Sequence, residues 1–155
     1  MSVKVPAGGT RGVPFPRFMT SLFNGFNVRM LRAGRMRVVR GMPTLLLETR
    51  GARSGRTRRA TLGYMEQGPG SWVVIASLGG AARNPAWLHN LAKDPDATIE
   101  LGDGRRIRVK AETLAGPELD AAWHRIAAEA PLYDQYRSKT DREISLVRLR
   151  ERAGA

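Results

Sequence analysis

Between Pro16 and Ala33 the apolar residues Phe18, Met19, Leu22, Phe23, Phe26, Met30 and Leu31 recur at helical spacing, and Gly34 supplies a stop. The pattern predicts an amphipathic helix. The run TLLLE (44–48) predicts a buried strand, and RRATLGYME (58–66) and SWVVIAS (71–77) two more, joined into a hairpin by the turn QGPG. In NPAWLHNLAKDP, Asn84 as N-cap, Pro85 at the first helical position and Pro95 past the end predict a short helix. ATIELGDGRRIRVKAET alternates Ile107, Val109 and Ala111 with Arg106, Arg108 and Lys110 after a GDG turn, which predicts a hairpin with one buried and one basic face. A second helix after Gly116 and a last strand in ISLVRLR complete the order. Consecutive hairpins favour an antiparallel sheet, so the expected fold class is α+β: a small, partly open antiparallel β-barrel with flanking helices.

Residues 1–13, MSVKVPAGGTRGV, are small, polar and glycine-rich, and are expected to form a flexible leader to one domain over 14–155. At 155 residues such a domain buries about two thirds of its unfolded surface. There is no cysteine, which removes disulfides, thiolate nucleophiles and iron–sulfur ligation and is compatible with the cytoplasm. His89 and His124, the two histidines, lie in no ligand-like pattern, so no metal is expected. No apolar run is long enough to span a bilayer; the expectation is a soluble protein, or one attached to a surface. The formal charge of +12 would attract nucleic acid, an anionic membrane or a small polyanion, without choosing among them.

Arg50, Arg53, Arg56, Arg58 and Arg59 crowd TRGARSGRTRRATLGY, beside the first strand. Glycines there let backbone N–H groups approach a ligand, and guanidinium forks bind phosphate oxygens. A solvated basic hairpin is the plain alternative. In SLGGAARNPAWLHN, Gly79 and Gly80 allow backbone to pass close to a planar ligand, and the following helix start offers N–H donors; an ordinary strand-to-helix turn with Trp87 in the core fits equally. In PLYDQYRSKTDREI, Tyr133 and Tyr136 are three residues apart and share a face if that region is helical, either as hydrogen-bonding walls of a pocket or as packing. No hydrolase constellation is present.

Taken together and in this order, TRGARSGRTRRATLGY, VVIASLGGAARNPAWLHNLAKDPDATIELG and YDQYRSKTDREI resemble the deazaflavin-dependent nitroreductase family of actinobacteria, from about Pro43 to Leu149. The resemblance implies a split β-barrel binding coenzyme F420, an 8-hydroxy-5-deazaflavin whose reduced form gives a hydride to an acceptor. It assigns Arg53, Ser54, Gly55 and Arg58 to the cofactor's phosphate, and Ala76, Ser77, Gly79, Gly80, Asn84, Pro85 and Trp87 to its ring. The arginines then clamp one small polyanion.

The expected activity is hydride transfer from reduced F420 to a quinone, activated alkene or nitro-type acceptor, with Ser77, Tyr133 and Tyr136 orienting the acceptor or stabilising developing charge. Leu78, Thr61 and Ala130 depart from a polar or basic residue, a proline and a tyrosine frequent in the family, which changes a phosphate or tail contact, the strand entering the site and the width of the pocket. The rival reading is a basic module without catalysis that binds nucleic acid or an anionic membrane surface. Monomer and homodimer both fit, and peripheral membrane contact through the first helix stays open.

Overall fold

The computed structural model describes residues 2–16, 28–30, 38–39 and 41–152. The helix expected from Pro16 to Ala33 therefore lies outside the described residues, except that Pro16 is coil and 28–30 are helical.

Among the described residues the strands are β1 (Val38–Val39), β2 (Met42–Arg50), β3 (Thr57–Glu66), β4 (Ser71–Ile75), β5 (Asp96–Glu100), β6 (Arg106–Thr113) and β7 (Leu146–Glu151). Besides the helical residues 28–30, the helices are α1 (Ala86–Lys93), α2 (Gly116–Glu129) and α3 (Pro131–Lys139), with a 3-10 turn at Leu78–Gly80. Every pairing is antiparallel, in the order β1-β2-β3-β4-β7-β6-β5. A short ladder of Leu46–Glu48 against Thr98–Glu100 joins β5 back to β2 and closes a barrel of six strands, β2 to β7.

Alternation decides which residues fill the barrel. Leu45 and Leu47 of β2, Trp72 and Val74 of β4, Ile99 of β5, Val109 of β6 and Val147 and Leu149 of β7 form one core cluster, joined by Trp87, Leu88 and Leu91 of α1. β4 shows no alternation because its other face is covered too: Val73 and Ile75 join Trp123 and Ile126 of α2 and Tyr133 and Tyr136 of α3 in a second cluster. β6 keeps one wet face, with Arg106, Arg108 and Lys110 exposed and Val109 and Ala111 buried. Truncating a fully buried leucine such as Leu45 to alanine costs about 2–5 kcal/mol.

Two features differ from the sequence reading, and a third bears on a segment whose form that reading left open. α1 is capped by Pro85, not Asn84, whose buried side chain instead donates to the Pro6 carbonyl at 2.8 Å. The tyrosine segment is a helix, α3, started by Pro131. Residues 2–13 of the segment expected to be loose contain no helix or strand but do have partners: Val3 is buried in the barrel cluster, the Lys4 N–H donates to Thr113 Oγ1 at 2.8 Å, and the Thr10 and Arg11 N–H groups donate to Asp141 Oδ1 at 2.9 Å each.

Strand direction brings distant segments to one end. β2 and β4 both run antiparallel to β3, so the 51–56 connection after β2 and the 76–85 loop after β4 leave the same end of the barrel. β7 begins there as well, with Leu146 opposite Ile75.

Candidate active site

The 51–56 connection is a tight loop with its own hydrogen bonds. The Gly51 N–H donates to Arg56 O at 2.7 Å and the Gly55 N–H to Gly51 O at 2.9 Å. The Arg56 N–H donates to Ser54 Oγ at 3.2 Å, and a β-carbon at Gly51 would stand 2.8 Å from that hydroxyl. Gly55 has φ +70°, with nothing within 4 Å of a would-be β-carbon, so the backbone there is open to close approach. α1 braces the loop: Asn90 accepts from the Ala52 N–H at 2.9 Å and donates to Thr49 Oγ1 at 3.0 Å, and Lys93 Nζ donates to Ala52 O at 2.7 Å.

The arginines divide into two groups. Arg50 lies 4.0 Å from Asp94, and Arg59 bonds Glu48 at 2.9 Å. Glu48 also holds Arg106 at 2.8 Å, and the hydrogen bonds from Arg106 and then Arg59 keep its carboxyl below the ordinary value. Arg53, Arg56 and Arg58 are exposed and have no ion pair among the described residues. Arg53 and Arg56, on a loop whose backbone is open at Gly55, and Arg58, two residues into β3, are guanidiniums of the kind that bind anionic oxygens.

The 76–85 loop carries the other sequence-assigned residues. It starts in the sheet, with the Ala76 N–H donating to Ser145 O at 2.9 Å. It then turns through Leu78, Gly79 and Gly80 at φ +43°, +63° and +84°, so Leu78 is a leucine in the left-handed region. The leader lies along this loop: the Val13 N–H donates to Gly80 O at 2.9 Å and the Gly9 N–H to Ala82 O at 2.7 Å. Arg83 bonds the Phe15 carbonyl and its guanidinium sits 6.0 Å from the Phe15 ring centre. Ala76, Ser77, Gly80, Asn84, Pro85 and Trp87 are buried, Trp87 within the barrel cluster, whereas Leu78 and Gly79 are half-buried.

Sequence reasoning missed Arg142. It is 4% exposed, and its guanidinium donates to the carbonyls of Ala76 at 3.0 Å, Ser77 at 2.9 Å and Ala81 at 3.1 Å and to Asn84 Oδ1 at 3.2 Å. Burial pulls its pKa down. The residue lies inside the segment YDQYRSKTDREI, but nothing local marks that arginine as interior.

Tyr133 and Tyr136 meet edge to face, ring centres 6.0 Å apart, and are 4% and 8% exposed. A β-carbon on Gly63 of β3 would stand 2.5 Å from the Tyr133 phenol oxygen, so that glycine seats the phenol against the sheet. A β-carbon on Gly80 would stand 3.3 Å from the Tyr136 carbonyl, so α3 runs beside the 78–80 turn. Of the three departures, Thr61 faces Leu46 across the β2–β3 ladder, and Ala130 is buried between α2 and α3.

α1 ties the segments together. Ala86 follows the 76–85 loop, while Asn90 and Lys93, about 6 and 10 Å further along the axis, hold the arginine loop. The structure thus gathers the arginine loop, the glycine loop and α3 around one end of the barrel. A cavity of about 460 Å³ at the other end, lined by Glu66, Trp72, Arg105 and Arg106 among others, contains none of the sequence-assigned residues.

Residues 24–151 match the family model described as F420H(2)-dependent quinone reductase. The chain is 33% identical over 144 residues to an F420H(2)-dependent quinone reductase of Mycobacterium tuberculosis, covering 91% of this chain and 93% of that protein. A solved structure described as an F420-H2 dependent reductase (FDR-A) is 31% identical, with a TM-score of 0.62, covering 69% of this chain and 93% of the other. Another, described as a domain-swapped dimer, is 29% identical, with a TM-score of 0.63, covering 84% and 98%. Fold and likeness define a class: barrel oxidoreductases whose cofactor is coenzyme F420. The chain belongs to the F420H(2)-dependent quinone reductase family.

Proposed function

We propose that this protein reduces a quinone with a hydride from reduced coenzyme F420, and that the end of the barrel carrying the arginine and glycine loops is where it does so. The observation that carries the site is a set of arginines without a carboxylate partner among the described residues: Arg53 and Arg56 on a loop braced by α1, and Arg58 at the start of β3 beside it. Arg53 and Arg58, with Ser54 and the open backbone at Gly55, hold the phosphate and acidic tail. The ring lies against the 76–85 loop, bounded by Ala76, Ser77, Gly79 and Gly80 and by Asn84, Pro85 and Trp87 at the start of α1.

When bound, reduced F420 supplies the hydride, and the protein supplies position and exclusion of water. The quinone gains a hydride and one proton, two electrons in all, and leaves as hydroquinone. Ser77 and the phenols of Tyr133 and Tyr136 orient the acceptor oxygen on which charge develops. Activated alkenes and nitro compounds, expected from the sequence as alternatives to a quinone, are comparison substrates. The reading of a basic module for nucleic acid or membrane finds no support among the relatives. No helix of the described residues is long and apolar enough to cross a membrane; a cytoplasmic location is part of this proposal. A homodimer is proposed from the likeness to the domain-swapped dimer, and light scattering tests it.

The activity is tested by mixing the protein anaerobically with reduced F420 and a soluble naphthoquinone and following the return of oxidised F420 absorbance. Protein-dependent oxidation is expected. Failure of F420 to bind, or turnover with flavin mononucleotide in its place, would overturn the proposal.

A further inference from the structure

A guanidinium placed inside a protein is normally matched by a carboxylate. Arg142 has none within ion-pair distance among the described residues, although it is 4% exposed. Its hydrogen bonds go instead to Ala76 O, Ser77 O, Ala81 O and Asn84 Oδ1, all within 3.2 Å, with a longer one of 3.4 Å to Glu143 O. One cation thus gathers both ends of the 76–84 loop.

The planarity of the peptide unit fixes where the neighbouring amides point. In a trans peptide the carbonyl and the next N–H point in opposite directions, and the chain has no cis peptide among the described residues. Because the carbonyls of Ala76 and Ser77 point at Arg142, the N–H groups of Ser77 and Leu78 point away from it. Neither finds an acceptor among the described residues. Ser77 is right-handed helical, at φ −78° and ψ −39°, and Leu78 left-handed, at φ +43°. Successive residues of those two conformations turn their N–H groups into one concavity that suits an electron-rich oxygen. A leucine is held at positive φ here where glycine would be free, so something other than local preference maintains the turn.

We infer that Arg142 is a positioning residue: it holds the carbonyls of Ala76, Ser77 and Ala81 inward and so presents the Ser77 and Leu78 N–H groups, before any ligand arrives, to a carbonyl or anionic oxygen on a planar ring. This rests on the reading of the 76–85 loop as the ring side of the F420 site. The leader adds a second brace from outside through Gly9 and Val13 and cannot substitute for the first, because it bonds the carbonyls of Gly80 and Ala82 and leaves those of Ala76 and Ser77 untouched.

The test is amide hydrogen exchange on the full chain, without and with F420, together with an F420 fluorescence titration. In the cofactor-free wild type, the Gly80 and Ala81 amides, which donate to Ser77 O and Leu78 O, should already be protected. Saturation with F420 should then slow exchange at Ser77 and Leu78 at least tenfold. In Arg142→Lys, which keeps the charge and loses the fork, protection at Gly80 and Ala81 should fall at least tenfold while the β4 and β7 amides exchange as in wild type. Its F420 affinity should weaken tenfold or more. Unprotected Gly80 and Ala81 amides in the cofactor-free wild type would overturn the proposal, even if the lysine variant did not fold. Wild-type protection of these amides in a folded Arg142→Lys would also overturn it. The cofactor-free measurements decide the role of Arg142; F420 failing to bind the wild type would overturn the proposed function instead.

Discussion

Arg58→Ala and Arg53→Ala should weaken F420 binding without weakening the fold. Both side chains are exposed and make no ion pair among the described residues, so their loss from the unliganded protein should change stability by less than about 0.5 kcal/mol, or about 2 °C in Tm. In the complex each removes a charge-assisted contact worth about 1.5–3 kcal/mol, which corresponds to an increase in Kd of about 10- to 150-fold. The structure supplies the control. Arg59 and Arg106 share the Glu48 carboxylate, at 2.9 and 2.8 Å, so removing either leaves Glu48 paired and takes no free guanidinium from the loop. Their alanine variants should shift Kd by no more than about threefold through the general field, which salt near 0.15 M screens over about 8 Å. Fluorescence titration of all four variants at that ionic strength, with thermal melts alongside, makes the measurement. Equal weakening in all four would mean that a diffuse positive field, rather than a cradle, holds the cofactor.

Tyr133→Phe and Tyr136→Phe keep the buried rings and should leave F420 affinity intact while lowering kcat and kcat/KM together by about 10- to 100-fold, if each phenol contact contributes about 1.4–2.7 kcal/mol in the transition state; stopped-flow rates equal to wild type would make both tyrosines packing residues. Asn90→Leu leaves the Ala52 N–H and the buried Thr49 hydroxyl without their partner and should cost about 2–4 kcal/mol, seen as a lower Tm together with weaker F420 binding; an unchanged Tm would contradict the bracing role of α1. Hydrogen bonds from the Thr10 hydroxyl and then the Arg11 N–H lower the Asp141 pKa to about 2. Because the folded value is depressed, the stabilisation is complete above the unfolded value near 4 and is lost as pH falls through about 2; carbon-13 NMR should show the Asp141 carboxyl titrating near 2, and a midpoint near 4 would mean that it does not anchor the leader.

The β3–β4 and β5–β6 hairpins are legible in the sequence because alternation and glycine turns are local signals, and β7 because its apolar residues are. Closure of the barrel is not, since nothing in TLLLE says that Leu46–Glu48 will meet Thr98–Glu100. The Asn84 cap is a false signal for a related reason: an asparagine ahead of a proline has the form of a cap, but here its side chain serves Pro6 and Arg142, far away in the chain. α3 carries few apolar residues, so its helical period is weak. At the site, the clustering of arginines is visible in the sequence, but their division into paired and unpaired is not, because Glu48, Asp94 and Arg106 come from three other places. Arg142 looks like one more surface charge until the carbonyls of the 76–84 loop are in position.

The β4–β7 pairing has a consequence for how the chain reaches its fold. β4 is apolar on both faces, and one of its edges is satisfied only by β7, with Val74 opposite Val147. During synthesis that edge stays open until residues near 150 have emerged, and the register must be found across a long stretch of chain, which belongs to the slow, millisecond-to-second regime of folding. SWVVI, with no charge and no proline, is the kind of segment that pairs with a copy of itself when left waiting. The yield of folded protein should therefore depend on how quickly β7 arrives: slow growth at low temperature should favour it, and truncation before Leu146 should send the chain into aggregates rather than into a smaller barrel.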